Sequence, residues 1–273
     1  MPEGTHAIDG IRVGIGGWTY APWRDNFYPA GLVQRRELEY ASRQVSAIEI
    51  NGTWYGAQKP ATYAKWRDET PDGFVFSVKA PQRITMARDL ADTGGQIDAF
   101  LGGIVTLGDK LGPIVWQFDP HRKLEHDALT QFVALLPAEL DGRQLRHVLD
   151  VRVHACVDNR LVELARKHRL ATVFTDSSEH PSFADVTADF VYARLMGTRS
   201  DIPTGYPDEA LRRWADYPRT WASGGEPGDL PRIGGPATDA LPHRDVFVYF
   251  ISGAKERNPA AAQALLRLLS IGT

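Results

Sequence analysis

The stretch Ala47-Ile48-Glu49-Ile50-Asn51-Gly52-Thr53-Trp54-Tyr55 decides how this chain is read. Ile48 and Ile50 alternate with Glu49 and Asn51, the two-residue period of a strand. An ordinary surface strand would send its polar pair to water. Here β-branched residues lead in and a glycine-aromatic turn follows, which predicts a buried strand with the polar pair near its C-terminal end. In a parallel α/β protein that end is where ligands meet side chains.

Seven more strands are expected on either side, at Arg12–Gly16, Phe74–Lys79, Pro113–Phe118, Arg146–Arg152, Ala171–Thr175, Phe190–Leu195 and Asp245–Phe250. Helical patterns separate most of them, around Arg36–Gln44, Pro60–Asp68, Gln96–Lys110, Glu125–Leu136, Asn159–His168, Asp208–Tyr217 and Pro259–Leu269. Eight strands alternating with helices predict an α/β fold, a single (β/α)8 TIM-type barrel. A doubly wound sheet would carry a phosphate turn after the first strand, and Gly14-Ile15-Gly16-Gly17-Trp18 does not complete G-x-G-x-x-G. The barrel should be irregular after the sixth strand, where Ser177–Ala188 holds no full helix, with a long excursion (196–244) after the seventh. That excursion, rich in glycine and proline from Ser223 to Pro242, is a candidate lid. With no composition break, residues 1–273 are expected to form one domain behind a short tail, 1–10.

The totals narrow the function. Lys and Arg number 31 against 34 Asp and Glu, a net charge of −3 that gives no support for broad coating of nucleic acid. One cysteine, Cys156, allows neither an internal disulfide nor a thiolate metal cluster. No apolar run approaches the roughly 18 residues of a membrane span, and the start lacks an apolar signal core. A cytoplasmic setting without a membrane partner is expected.

Polar residues recur where the strands end. Glu49 and Asn51 close the second strand, Ser77 and Lys79 the third, and Gln117 sits in the fourth. Asp150 and Arg152 share one face of the fifth, Asp176 follows the sixth, and Arg194 lies in the seventh. Any one of these could be a structural ion pair, Glu49 with Lys79 or Arg194, or Asp150 with Arg152. Their recurrence on at least six strands points to a shared polar mouth, because charges are seldom buried unpaired.

The same residues resemble one family. Gly16-Gly17-Trp18-Thr19-Tyr20, Phe27-Tyr28-Pro29, Glu49-Ile50-Asn51, Trp54-Tyr55, Phe76-Ser77-Val78-Lys79, Gln117-Phe118-Asp119-Pro120, Asp150-Val151-Arg152, Asp176 and Tyr192-Ala193-Arg194 are similar to the family called domain of unknown function 72, or YecE-like. The resemblance implies a TIM-type barrel and no particular reaction. The chain departs from the family pattern at Val153 and Met196, where histidine is usual, and at Ile251, where the last strand usually ends in asparagines.

Three cations, Lys79, Arg152 and Arg194, then face the acids Glu49, Asp150 and Asp176. Guanidinium forks suit phosphate or carboxylate oxygens, so the expected partner is an anionic small molecule or a phosphodiester, nucleic-acid ends included. Glu49, Lys79 and Asp176 are the candidate catalytic groups: the acids as general bases, the lysine as a cation that holds the anion or as an imine-forming amine. Trp18, Tyr20, Asn51, Tyr55, Gln117, Asp150, Arg152 and Arg194 are the candidate substrate-binding groups, and Trp23 and Trp54 read better as a hydrophobic plug. A hydrolase or isomerase of a phosphate-containing substrate, a binding module without turnover, and a degenerate barrel whose departures at Val153, Met196 and Ile251 are lost functional residues all remain open. No motif calls for an organic cofactor, and a single Mg²⁺ held by Glu49 and Asp176 stays open. Of the eight histidines only His154 is expected to reach the mouth, too few for a zinc cluster.

Overall fold

The computed structural model describes residues 8–237 and 241–271. The first seven residues of the expected tail, three residues of the long excursion and the last two of the chain lie outside this range. Eight parallel strands close a barrel: β1 (Ile11–Gly16), β2 (Ala47–Ile50), β3 (Val75–Lys79), β4 (Leu111–Phe118), β5 (His147–Val151), β6 (Ala171–Thr175), β7 (Phe190–Leu195) and β8 (Asp245–Phe250). Their order around the barrel follows the chain, β8 pairing back onto β1 from Ile11↔Val246 to Ile15↔Phe250. The helices are α1 (Glu37–Ala41), α2 (Pro60–Glu69), α3 (Gln82–Thr85), α4 (Gly94–Ile104), α5 (His126–Ala134), α6 (Asn159–Lys167), α7 (Asp208–Ala222) and α8 (Asn258–Ser270). The expected fold is the observed one, including the stretch without a helix between β6 and β7.

Element ends depart from expectation for local reasons. The helix expected over Gln96–Lys110 stops at Ile104 and tightens into a 3₁₀ turn, where Gly108 takes φ +59°. Proline predicts a stop after Tyr217, yet α7 runs through the buried Pro218 to Ala222. A two-stranded hairpin, Glu139–Leu140 with Arg143–Gln144, was not expected. Its Asp141-Gly142 turn has φ +52° and +73°, the left-handed pair such a hairpin demands.

The long excursion divides in two. Residues 196–207 follow β7 at the C-terminal mouth. α7 then runs back, and the glycine- and proline-rich part joins its end to the start of β8 at the N-terminal face. It is pinned there: Asp185, in the β6–β7 link, accepts from Ile233 N and Gly234 N at 2.8 Å each, and Ala184 N donates to Pro231 O. The lid expectation is therefore corrected for this part, which sits at the wrong end of the barrel.

Strand alternation sorts side chains into two layers. One set forms the main core between strands and helices, with Ile15, Ile48, Val78, Trp116 and Val248 fully buried. The other fills the barrel interior with Ala47, Val75, Val115, Val148, Val173, Tyr192, Phe247 and Tyr249. Tyr249 needs the space that Gly14 leaves beside it. A Cβ on Gly14 would lie 2.2 Å from the Ala47 carbonyl oxygen and 2.8 Å from the Tyr249 ring. The backbone contact cannot yield, so Gly14→Ala should destabilise by about 3 kcal/mol or more. Gly102→Ala, in exposed helix with nothing within 4 Å, should stabilise by roughly 0.5–1 kcal/mol. Urea unfolding of the two variants checks both signs.

Candidate functional site

Above the tyrosine layer the barrel interior becomes charged. Neighbouring strands present Glu49 beside Ser77, Gln117 beside Asp150, and Thr175 beside Arg194. Arg194, only 1% exposed, reaches across the barrel. Its Nε donates to Glu49 Oε2 at 2.9 Å and its Nη2 to Oε1 at 2.8 Å, while Nη1 donates to Asp150 Oδ2 and, at 3.3 Å, to Gln117 Oε1. The Tyr192 hydroxyl donates to Glu49 Oε2 at 2.6 Å. One guanidinium thus joins β2, β4, β5 and β7.

Arg152 covers Asp150 from the mouth side, Nε lying 3.1 Å from Oδ2 and Nη2 3.0 Å from the same oxygen. Burial alone would raise the Asp150 carboxyl, but Arg194 and Arg152 together hold it below the usual carboxylate range. Burial raises the Tyr192 hydroxyl strongly and Glu49 adds to that, so the tyrosine stays a proton donor.

Lys79 is different. Its ammonium lies 4.1 Å from the centre of the Trp54 ring, with no ion pair or hydrogen bond to a described residue. Burial pushes the amine down to about 8, and the positive charge of Arg194 contributes, against the pull of Glu49 and Asp150. The main chain beneath it is fixed, because Thr53 Oγ1 bonds to both Ile50 O and Lys79 O. The expected Glu49–Lys79 pair does not form; Glu49 belongs to Arg194.

The remaining candidates scatter. Asp176 binds the loop after β7, accepting from Met196 N at Oδ1 and from the Tyr206 hydroxyl at Oδ2, while Gly197 N donates to Tyr206 Oη. Burial raises its pKa in spite of these donors. Glu49 and Asp176 therefore turn their oxygens to protein donors rather than to a shared Mg²⁺, and no group of three potential metal ligands lies among the described residues. Asn51 is half-buried against Gly16. Trp18 leaves the mouth and packs edge-on against Trp66, at 4.9 Å, and Phe76. Tyr20 lies under the Lys255 ammonium at 4.6 Å, beside a buried Trp23 whose Nε1 donates to Lys255 O. Trp23 is the expected plug, whereas Trp54 is the surface on which Lys79 rests. Tyr55 is 83% exposed.

His180 was missed. Its Nε2 lies 2.9 Å from Arg152 Nη1, so the neutral ring accepts there and carries its proton on Nδ1, which is buried without a partner. Burial, then Arg152, lowers its pKa. His154, expected to reach the mouth, is exposed in a 3₁₀ turn. The signal for His180 was weak, since it lies in a link without regular structure. At the opposite face a groove of about 770 Å³ is lined by Asp9, Arg146, Asp189, Arg244 and Asp245. There Arg146 pairs with Asp245 at 2.6 Å, an arrangement that serves the closed end of the barrel.

A family model described as Protein of unknown function DUF72 matches residues 12–273. The chain belongs to this family. The UPF0759 protein YecE of Escherichia coli (strain K12) is 29% identical over 142 residues, 50% of this chain and 48% of that protein. The UPF0759 protein YunF of Bacillus subtilis (strain 168) is 28% identical over 116 residues, 40% of each. These matches span about half the length of the curated relatives, or less. A DUF72 family protein from Thermotoga maritima superposes with a TM-score of 0.70 at 16% identity, over 94% of this chain and 97% of the other. One from Enterococcus faecalis V583 gives 0.68 at 14%, over 95% of each. At such identities the likeness is one of fold.

The charged layer of this DUF72 chain makes a stability prediction. Arg194→Met leaves two buried carboxylates without their shared cation and should cost about 3–5 kcal/mol. In the Glu49→Gln/Arg194→Met double variant the loss should be clearly less than the sum of the two single losses. A double-mutant cycle in urea measures that coupling.

Proposed function

We propose that the C-terminal mouth binds an anionic small molecule, foremost a phosphate ester, and that Lys79 moves a proton on it. The observation that carries this reading is the Lys79 ammonium, largely withdrawn from water with no counter-ion among the described residues. An oxyanion entering the mouth supplies the missing charge, and Arg152 offers planar donors beside it. Glu49 and Asp176, expected as general bases, are positioning residues in this scheme because protein donors already hold their oxygens. The reaction class is a hydrolase or isomerase of phosphate-containing substrates that does without the side chains absent at Val153, Met196 and Ile251. The same engagement of Glu49 and Asp176 favours a second reading, capture of an anion or a nucleic-acid end without turnover, which differs by yielding no product. The single buried thiol, Cys156, suits a reducing cytoplasm, and no described helix is long and apolar enough to cross a membrane.

The pH dependence follows from Lys79. Its folded value, about 8, lies below the ordinary 10.5 of a lysine. Below pH 8 the amine is charged in both folded and unfolded chains, and the cost of burying it is fully present. Between 8 and 10.5 the unfolded chain holds the extra proton, so this contribution to stability improves as pH rises. Lys79→Met should therefore stabilise the protein at pH 7, by about 2–3 kcal/mol, and flatten that rise. Anion binding runs the other way, strongest below pH 8 and fading above it, with proton uptake near pH 8.5. Calorimetric titration of phosphate esters in buffers of different ionisation enthalpy, with Lys79→Met and Arg152→Ala alongside, reads both effects. Affinity that ignores pH and both substitutions would remove the mouth from consideration.

A further inference from the structure

We infer that Lys79 is a covalent reaction centre: its Nζ forms an imine with a phosphorylated aldehyde or ketone held in the mouth. The inference rests on the anion-binding reading and adds the group that the anion carries.

An amine suited to carbonyl chemistry needs a fixed position, freedom from carboxylates and a dry surface. Lys79 is half-buried on the Trp54 ring and has no carboxylate partner among the described residues. Thr53 Oγ1 fixes its carbonyl oxygen, and the Trp54 ring lies beneath its ammonium. The charges around it are engaged with one another, Glu49 and Asp150 with Arg194, and Asp150 again with Arg152. Lys110 donates to Arg67 O and Thr70 O, Lys65 pairs with Glu69, and Lys123 pairs with Glu125, whereas Lys255 also rests on an aromatic ring, 4.6 Å from the centre of Tyr20, with its amine lowered by burial, and is the internal comparison for Lys79. A lysine near 8 is neutral in about a quarter of molecules at pH 7.5, against about one in a thousand for an ordinary one.

The step balances without a co-reactant. The Nζ lone pair forms a bond to the carbonyl carbon, and one amine proton passes to the carbonyl oxygen, giving a carbinolamine. The C–O bond then breaks, the oxygen leaves as water with the second amine proton, and the C=N bond closes. A protonated imine acidifies the adjacent carbon, the chemistry behind aldehyde–ketone exchange or carbon–carbon cleavage.

The test uses the whole chain, which has seven lysines. It is incubated with pyridoxal 5′-phosphate, or with the smaller glycolaldehyde phosphate, then reduced with borohydride, digested and mapped by mass spectrometry. Lys79 should be modified at least about tenfold faster than Lys123, whose side chain is 89% exposed. Excess inorganic phosphate should suppress this, and Lys79→Arg should abolish the adduct. Modification that follows exposure with both probes, or is unchanged by phosphate, overturns the inference. A parallel thermal-shift titration with inorganic phosphate separates the two failures. A shift that Arg152→Ala removes, without a Lys79 adduct, refutes the imine and leaves the anion site standing; neither shift nor adduct refutes both.

Discussion

A guanidinium buried in a barrel must be neutralised where it stands, and Arg194 sets that demand on the strands around it. Removing a cation from water costs several kcal/mol unless excellent geometry returns it. The return here is a two-pronged contact to Glu49, a second carboxylate at Asp150 and the Gln117 amide oxygen. Each comes from a different strand, so the register of β2, β4 and β5 against β7 is fixed by electrostatics as well as by backbone pairing. An apolar filling can match such a cluster in stability, but it would not hold a polar floor rigid beneath the mouth.

That floor decides what remains above it. Asp150 is shared between Arg194 below and Arg152 above, and Arg152 is oriented in turn by His180. The acids at this level are consumed from beneath, which leaves Lys79 without a carboxylate partner among the described residues. The same floor lowers the amine further, because the nearest guanidinium, on Arg194, adds repulsion to desolvation. The character proposed for Lys79 thus depends in part on Arg194, which is committed to Glu49 and Asp150. Asp176 acts at the rim in a similar way, ordering the chain after β7 through Met196 and Tyr206.

The barrel was legible because burial on both faces of each strand leaves runs such as Val75–Lys79 and His147–Val151 that no surface strand would show. Helix ends were less so: Pro218 is tolerated inside α7, and Gly108 breaks a pattern whose apolar spacing continues past it. The strand-end polar residues could be named from sequence, but not who partners whom. Glu49 and Arg194 are 145 positions apart, and spacing alone offered Lys79 as an equal partner. His180 escaped because the β6–β7 link has no period from which to read a direction. Trp18 was misplaced for the opposite reason, since an aromatic after β1 suits the mouth and the helix layer equally, and Trp66 draws it to the latter.

Anion binding and amine chemistry make opposed demands on one nitrogen. A phosphate placed directly against Lys79 Nζ would raise its pKa toward the ordinary value and hold it as ammonium, which cannot attack a carbonyl. By linkage, the proton the anion draws in is the one the nucleophile must lose. In the proposed scheme the two roles are compatible only if the ligand spans the mouth, its phosphate toward Arg152 and its carbonyl over the Trp54 side. The parts for that division are a guanidinium held in place by Asp150 and His180, and a lysine resting on an aromatic face. The ligand this proposal calls for is then short and bifunctional, long enough to separate its two ends and too short to leave either outside.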